Sequence, residues 1–162
     1  MAAVTALGIA AAGGAPGAHA SGAPPPQPRG PGGAGPPDLL VRAGAARVFP
    51  QRGSYCWTEP GSSFCLTSVF GPYGSFKPGP RETLPVRSRG FVMIEAGTAV
   101  DAMKVSGPSF HPAAEPRTAT RDRWRFRAPV ARRQRVISLR LDVRYRGQTS
   151  AVPYFFRLRV SP

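Results

Sequence analysis

The feature that most constrains this chain is a pair of long segments in which apolar and polar side chains alternate, one on each side of a short polar link. From Val136 to Arg146, the residues Ile137, Leu139, Leu141, Val143 and Tyr145 alternate with Ser138, Arg140, Asp142, Arg144 and Arg146. From Val152 to Val160, the residues Val152, Tyr154, Phe156, Leu158 and Val160 alternate with Phe155, Arg157 and Arg159. A period of two sends successive side chains to opposite faces of a strand, so each segment buries one face and wets the other. Gly147-Gln148-Thr149-Ser150 lies between them, and an antiparallel hairpin follows.

The same period recurs at Arg121-Asp122-Arg123-Trp124-Arg125-Phe126-Arg127, where every second residue is arginine and Trp124 and Phe126 share the other face. Shorter segments at Leu39 to Val48, Ser54 to Thr58, Phe64 to Phe70, Leu84 to Glu95 with a break near Gly90, and Ala99 to Val105 complete the pattern. No 3.6-residue hydrophobic period competes with it. The expected fold is all-β, an antiparallel β-sandwich of about seven to eight strands, with a small barrel as the alternative architecture. Trp124, Phe126, Leu139, Leu141, Tyr154, Phe156 and Leu158 are its expected core.

Residues 38–162 are read as that single domain, because what precedes them cannot pack. Residues 21–37 hold seven prolines and five glycines, too few apolar side chains to offset the entropy of ordering, and read as a linker. Residues 1–20 carry no charged side chain, contain an apolar run from Ala2 to Ala12 and end on Ala18-His19-Ala20. That is the layout of a signal peptide, with cleavage expected before Ser21. Gly13, Gly14 and Pro16 interrupt the run well short of the ~20 apolar residues that span a bilayer. A secreted or envelope-associated location is expected.

Cys56 and Cys65 stand nine positions apart with Pro60-Gly61 between them. An even cysteine count in an exported chain reads as a disulfide, which would clip an N-terminal hairpin with a Cα separation of about 4.4 to 6.8 Å. Metal binding would need two more ligands at compact spacing, and Cys-x-x-Cys redox chemistry has no match here. Neither a cofactor nor a metal is expected.

Two stretches, Arg52-Gly53-Ser54-Tyr55-Cys56-Trp57 followed by Cys65 and the terminal Tyr154-Phe155-Phe156-Arg157-Leu158-Arg159-Val160, carry a resemblance. They resemble small uncharacterised secreted or envelope proteins of high-GC bacteria, with a Gly-Ser-Tyr-Cys-Trp hairpin ahead of an immunoglobulin-like body. The resemblance implies an immunoglobulin-like β-sandwich and an extracytoplasmic compartment, and it implies no activity. One departure is that Leu66-Thr67-Ser68 follows Cys65 where an acidic residue and a proline are often expected.

Candidate chemistry is sparse. Ser109 and His111 with Asp101 or Glu115 form the best nucleophile set, but no Gly-x-Ser-x-Gly turn is present, and Pro108 and Pro112 mark residues 106 to 116 as a loop. Met93, Met103 and His111 sit on different segments, where methionine is ordinarily core filler rather than a copper ligand. The eight acids are scattered, with no pair nominated for the two facing carboxylates of a glycosidase. The expectation is a protein that is not an enzyme, and a secreted wall-polymer hydrolase or inhibitor domain is the alternative.

The arginines are the one feature with functional amplitude. The net charge is +14, and 20 of the 22 basic residues are Arg, two being Lys77 and Lys104. Ala, Gly, Pro and Arg make up 82 of the 162 residues, so GC-rich codons account for part of this on their own. The outward sets are Arg121, Arg123, Arg125 and Arg127; Arg140, Arg144 and Arg146; and Arg157 and Arg159, with Arg132-Arg133-Gln134-Arg135 as a basic tip. If Arg140, Arg144, Arg157 and Arg159 share one face, their fields add and attract polyanions in a salt-dependent way. The sequence names no ligand: anionic envelope polymers (teichoic-type polymers, lipid head groups or acidic polysaccharides) or another secreted protein are the candidate partners, and the reading weighed above them is that the charge is compositional, a polar outer face supplied with arginine by GC-rich codons. Intracellular nucleic acid conflicts with export. Tyr73 and Phe76 are further candidates for a contact surface.

Overall fold

The computed structural model describes residues 35–67 and 79–162. The proposed signal peptide, nearly all of the linker, Tyr73 and Phe76 lie outside the described residues. Every long element is a strand, and one 3-10 turn at Pro80–Glu82 is the only helical piece among the described residues.

The first sheet is built from β1 (Leu40–Ala43), β2 (Ala46–Val48), β7 (Phe91–Glu95), β9 (Glu115–Pro116) and β10 (Arg123–Arg127), in the order β2-β1-β7-β10-β9. All of its pairings are antiparallel. The second sheet runs β3-β12-β11-β8, where β3 is Gln51–Arg52, β8 Val100–Ser106, β11 Arg135–Tyr145 and β12 Val152–Ser161. A further strand, β6 (Thr83–Arg87), lies beside β12 in parallel and pairs Arg157 to Ser161. The free side of β12 is therefore shared, with β3 on Tyr154 and Phe155 and β6 on the rest. This parallel ladder is the exception to the antiparallel expectation. Pro85 sits in it without harm, because β6 is an edge strand whose missing N–H breaks no second ladder.

The predicted hairpin is the spine of the second sheet. Cross-strand pairs run from Arg135–Val160 to Val143–Val152, and Gly147, at φ +79°, turns the chain where a side chain would strain it. Along β12 the residues Val152, Tyr154, Phe156, Leu158 and Val160 are fully buried. They meet Trp124 and Phe126 of β10, Val92 and Ile94 of β7, and Leu39 and Val41 in one apolar cluster between the two sheets. Burying side chains of this size contributes roughly 1.5–3 kcal/mol each, and this sandwiched core is what holds the sheets together.

Among the described residues twelve strands stand where seven or eight were expected, because one segment is a hairpin, one divides and two strands are very short. Leu39 to Val48 is a hairpin rather than one strand, turned at Gly44 with φ +57°, and Leu84 to Glu95 divides at Gly90 into β6 and β7. The two-residue strands β3 and β9 are too short to show a period, and β9 falls inside the stretch read as loop.

A separate two-stranded hairpin, β4 (Tyr55–Glu59) and β5 (Ser62–Leu66), turns at Pro60-Gly61, with Gly61 at φ +81°. Tyr55 is buried, and Trp57 packs edge-on against Tyr145 at 5.5 Å between ring centroids. Gln148 of the β11–β12 turn clasps the hairpin, accepting from the Thr58 N–H at 2.9 Å and donating to the Thr58 carbonyl at 2.8 Å.

Packing extends ahead of Asp38. Pro36 is buried, and the Tyr154 hydroxyl donates to the Pro37 carbonyl at 2.9 Å, so residues 35–37 of the Pro/Gly-rich stretch are packed on the domain.

Candidate functional site

The alternation that builds β11 and β12 also decides where their charges go. With Leu139, Leu141, Val143, Phe156 and Leu158 turned inward, Arg140, Arg144, Arg157 and Arg159 point to the solvent face of the second sheet. All four predicted arginines therefore share one face. Strand pairing brings two cations from other strands onto the same face. Lys104 of β8 is opposite Asp142, and Arg87 of β6 is opposite Ser161. Six cations and the single carboxylate of Asp142 occupy this face among the described residues.

The geometry is partly fixed. Arg140 donates from Nε to Asp142 at 2.8 Å, pairs with the same carboxylate through Nη2 at 2.7 Å, and lies 6.0 Å from the centre of the Phe155 ring. Arg157 is half-buried and donates to the Thr83 hydroxyl at 3.2 Å. Arg146, grouped with Arg140 and Arg144 by spacing, lies just past the end of β11, with Asp101 at 3.7 Å.

The outer face of the first sheet uses its arginines differently. Arg42 pairs with Glu95 at 2.7 Å and Arg125 with Glu115 at 3.1 Å. Arg125 and Arg127 stand over the exposed Phe91 ring at 4.7 and 4.1 Å, where cation–π contact shields an apolar side chain. Arg121 precedes β10 at φ +55° and donates to the Asp101 carbonyl, so it is a turn residue rather than part of an outward strand set. On that face Arg42 and Arg125 have acid partners; on the second sheet, among the described residues, one acid faces six cations.

The carboxylates are dispersed in the same way. Asp38, Glu95, Asp101, Glu115 and Asp142 each pair with a different arginine, namely Arg52, Arg42, Arg146, Arg125 and Arg140. Asp122 accepts from the hydroxyls of Thr118 and Thr120, which hold its carboxyl below the usual range. Of the acids considered beside Ser109 and His111, Asp101 is engaged by Arg146 and Glu115 by Arg125. Ser109 is the third residue of a tight turn, at φ +56°. Met103 is buried in the core, as core filler would be, and no group of three or more His, Cys, Asp or Glu suited to a metal occurs among the described residues.

Cys56 and Cys65 form the expected disulfide across β4 and β5. The two are direct ladder partners, and their Cα separation of 4.0 Å is below the expected window. Both are exposed, with Tyr55, Trp57, Phe64 and Leu66 turned toward the body. No helix of the described residues is long and apolar enough to cross a membrane. No protein-family model, curated protein or solved structure matches the chain.

Proposed function

We propose that this chain is an extracytoplasmic, non-enzymatic binding module of immunoglobulin-like type that attaches to anionic polymers through the outer face of its second sheet. The observation that carries the reading is the convergence of Arg87, Lys104, Arg140, Arg144, Arg157 and Arg159 on one face, with Asp142 the one carboxylate there among the described residues. Such a face attracts a polyanion at long range and loses it as salt screens the field, over a Debye length of about 8 Å at physiological ionic strength.

The strand order supports the immunoglobulin-like part. Lettered in chain order with β2 to β6 set aside, the sheets read A-B-E-D (β1, β7, β10, β9) and C-F-G (β8, β11, β12). That is the arrangement of a constant-type immunoglobulin sandwich. An exposed disulfide supports an oxidising compartment. Dispersal of the described carboxylates onto separate arginines favours a binding module over the wall-polymer hydrolase.

Two measurements test the reading. Protein recovered from culture medium should begin at Ser21, and an intact Met1 on an exported product contradicts the signal peptide. Pull-down from native envelope should recover the protein at low salt and lose it at about 0.5 M salt, where screening shortens to a few ångströms. Equal recovery under both conditions contradicts electrostatic attachment.

A further inference from the structure

A shallow depression of about 320 Å³ lies on this same face, lined among others by Ser106, His111, Ser138, Arg140 and Phe155. Its rim is the loop that leaves β8. Gly107 and Phe110 exchange backbone hydrogen bonds at 2.9 and 3.2 Å, which closes a turn through Pro108 and Ser109. A type II turn requires a positive φ at its third position and commonly has proline at its second, and Ser109 supplies the first at φ +56° where glycine is usual. The loop is pinned at both ends. Phe110 packs toward Phe126 of the core at 6.4 Å, and Gly107 lies so close to β11 that a Cβ there would stand 2.7 Å from Leu139 Cδ2 and 2.9 Å from the Ser138 carbonyl. The depression is thus a built feature, and its volume falls at the small end of small-molecule sites.

We propose that this depression is a subsite for one acidic sugar unit, the specific grip within the wider polyanion-binding face; the inference rests on that reading and names its ligand class. The lining is what separates a sugar acid from other anions. A phosphate chain has no use for the Phe155 ring, and a neutral sugar gains no charge attraction from the Arg140 guanidinium. A pyranose carboxylate uses both, with its C–H face on the ring and its carboxylate toward the Nη1 side of Arg140, whose Nε and Nη2 already hold Asp142, while Ser106, Ser138 and His111 offer hydrogen bonds to its hydroxyls. Ser138 is the cross-strand partner of Arg157. A polymer seated here by one unit therefore continues onto Arg157 and Arg159.

The test is titration calorimetry of the full mature chain with three probes: hexagalacturonate, its methyl ester, and linear polyphosphate of matched charge. The expected result is hexagalacturonate binding that Phe155→Ser weakens about tenfold, the scale of one lost stacking contact. Polyphosphate binding should stay within about twofold in the same variant, since its charge is unchanged. Equal weakening of both probes, or of neither, overturns the subsite and leaves the charged face standing. Polyphosphate that fails to bind while hexagalacturonate binds in a Phe155-dependent way overturns the general face and leaves the subsite, and failure of both overturns both. Should Phe155→Ser not fold, the unaltered protein decides by NMR. The Phe155 ring and His111 imidazole signals should shift with hexagalacturonate and not with its ester, and absence of that difference overturns the proposal.

Discussion

The hydroxyls of Tyr145 and Tyr154 lie 2.8 Å apart in the core, and Tyr154 donates onward to the Pro37 carbonyl at 2.9 Å. Two adjacent strands thereby hold Pro37 against the core. Each tyrosine uses its apolar ring for packing and its hydroxyl for a bond that water cannot supply at that depth. Replacing Tyr154 with Phe leaves the Pro37 carbonyl only the longer bond from the Tyr145 hydroxyl, at 3.5 Å, and should cost about 1 kcal/mol of unfolding free energy. Urea melts of the two proteins measure this difference.

The same pair sets a high-pH limit. Burial pushes the Tyr154 phenol up to about 12 and raises Tyr145 well above its ordinary value. An unfolded tyrosine releases its proton near pH 10, so between about 10 and 12 the folded state binds more protons than the unfolded. The stabilisation is complete below pH 10 and is lost as pH rises through the folded values. Stability should fall by roughly 1 kcal/mol per pH unit for each retained proton over that window. Thermal melts from pH 8 to 12, with Tyr154→Phe as comparison, check the slope, which the variant should reduce.

Beside the tyrosines, Arg52 pairs with Asp38 at 2.7 Å, its side chain 1% exposed against 21% for the carboxylate. The guanidinium also lies 5.6 and 5.8 Å from the Tyr55 and Tyr154 ring centres. Asp38→Ala leaves that charge buried without its carboxylate and should cost about 3 kcal/mol. Converting both, Asp38→Ala with Arg52→Met, should recover part of the loss, and a double-mutant cycle by denaturant unfolding reads the coupling.

Reduction of Cys56–Cys65 should cost about 2.5 kcal/mol if loop entropy governs a bridge between residues nine apart. The change should localise to β4 and β5, because Trp57 on Tyr145 and the Gln148 clasp still dock the hairpin. Hydrogen exchange with and without reductant should show faster exchange at Thr58 and Phe64 and little change at Leu141. Gln148→Ala added to the reduced protein should raise hairpin exchange further.

How much of this was legible beforehand follows from the range of each signal. The β11–β12 hairpin and the buried faces of Trp124 and Phe126 rest on local alternation, which any ten residues display, and the cysteine pair rests on a nine-residue spacing. The parallel β6–β12 ladder does not, since it joins residues more than seventy apart, and the addition of Arg87 to the basic face depends on it. Lys104 was open to the same period-two reading as its neighbours, but its place beside Asp142 depends on β8 pairing with β11. Pro36 and Pro37 have linker composition, yet they pack because tyrosine hydroxyls arrive from over one hundred residues away. The depression at Phe155 arises from a loop crossing a distant strand, and no sequence window contains both.

The most direct test of the central claim compares two fourfold arginine variants of equal net charge. In one, Arg140, Arg144, Arg157 and Arg159 become Gln; in the other, Arg47, Arg123, Arg132 and Arg133 do, all exposed residues off the proposed face. Binding to an acidic polysaccharide is measured for each across a salt series. The account predicts that the first variant binds weakly and that its slope of log affinity against log salt falls by on the order of 3, while the second stays close to the parent. Equal losses in the two variants would show that total charge, and not this face, governs attachment, and would contradict the account.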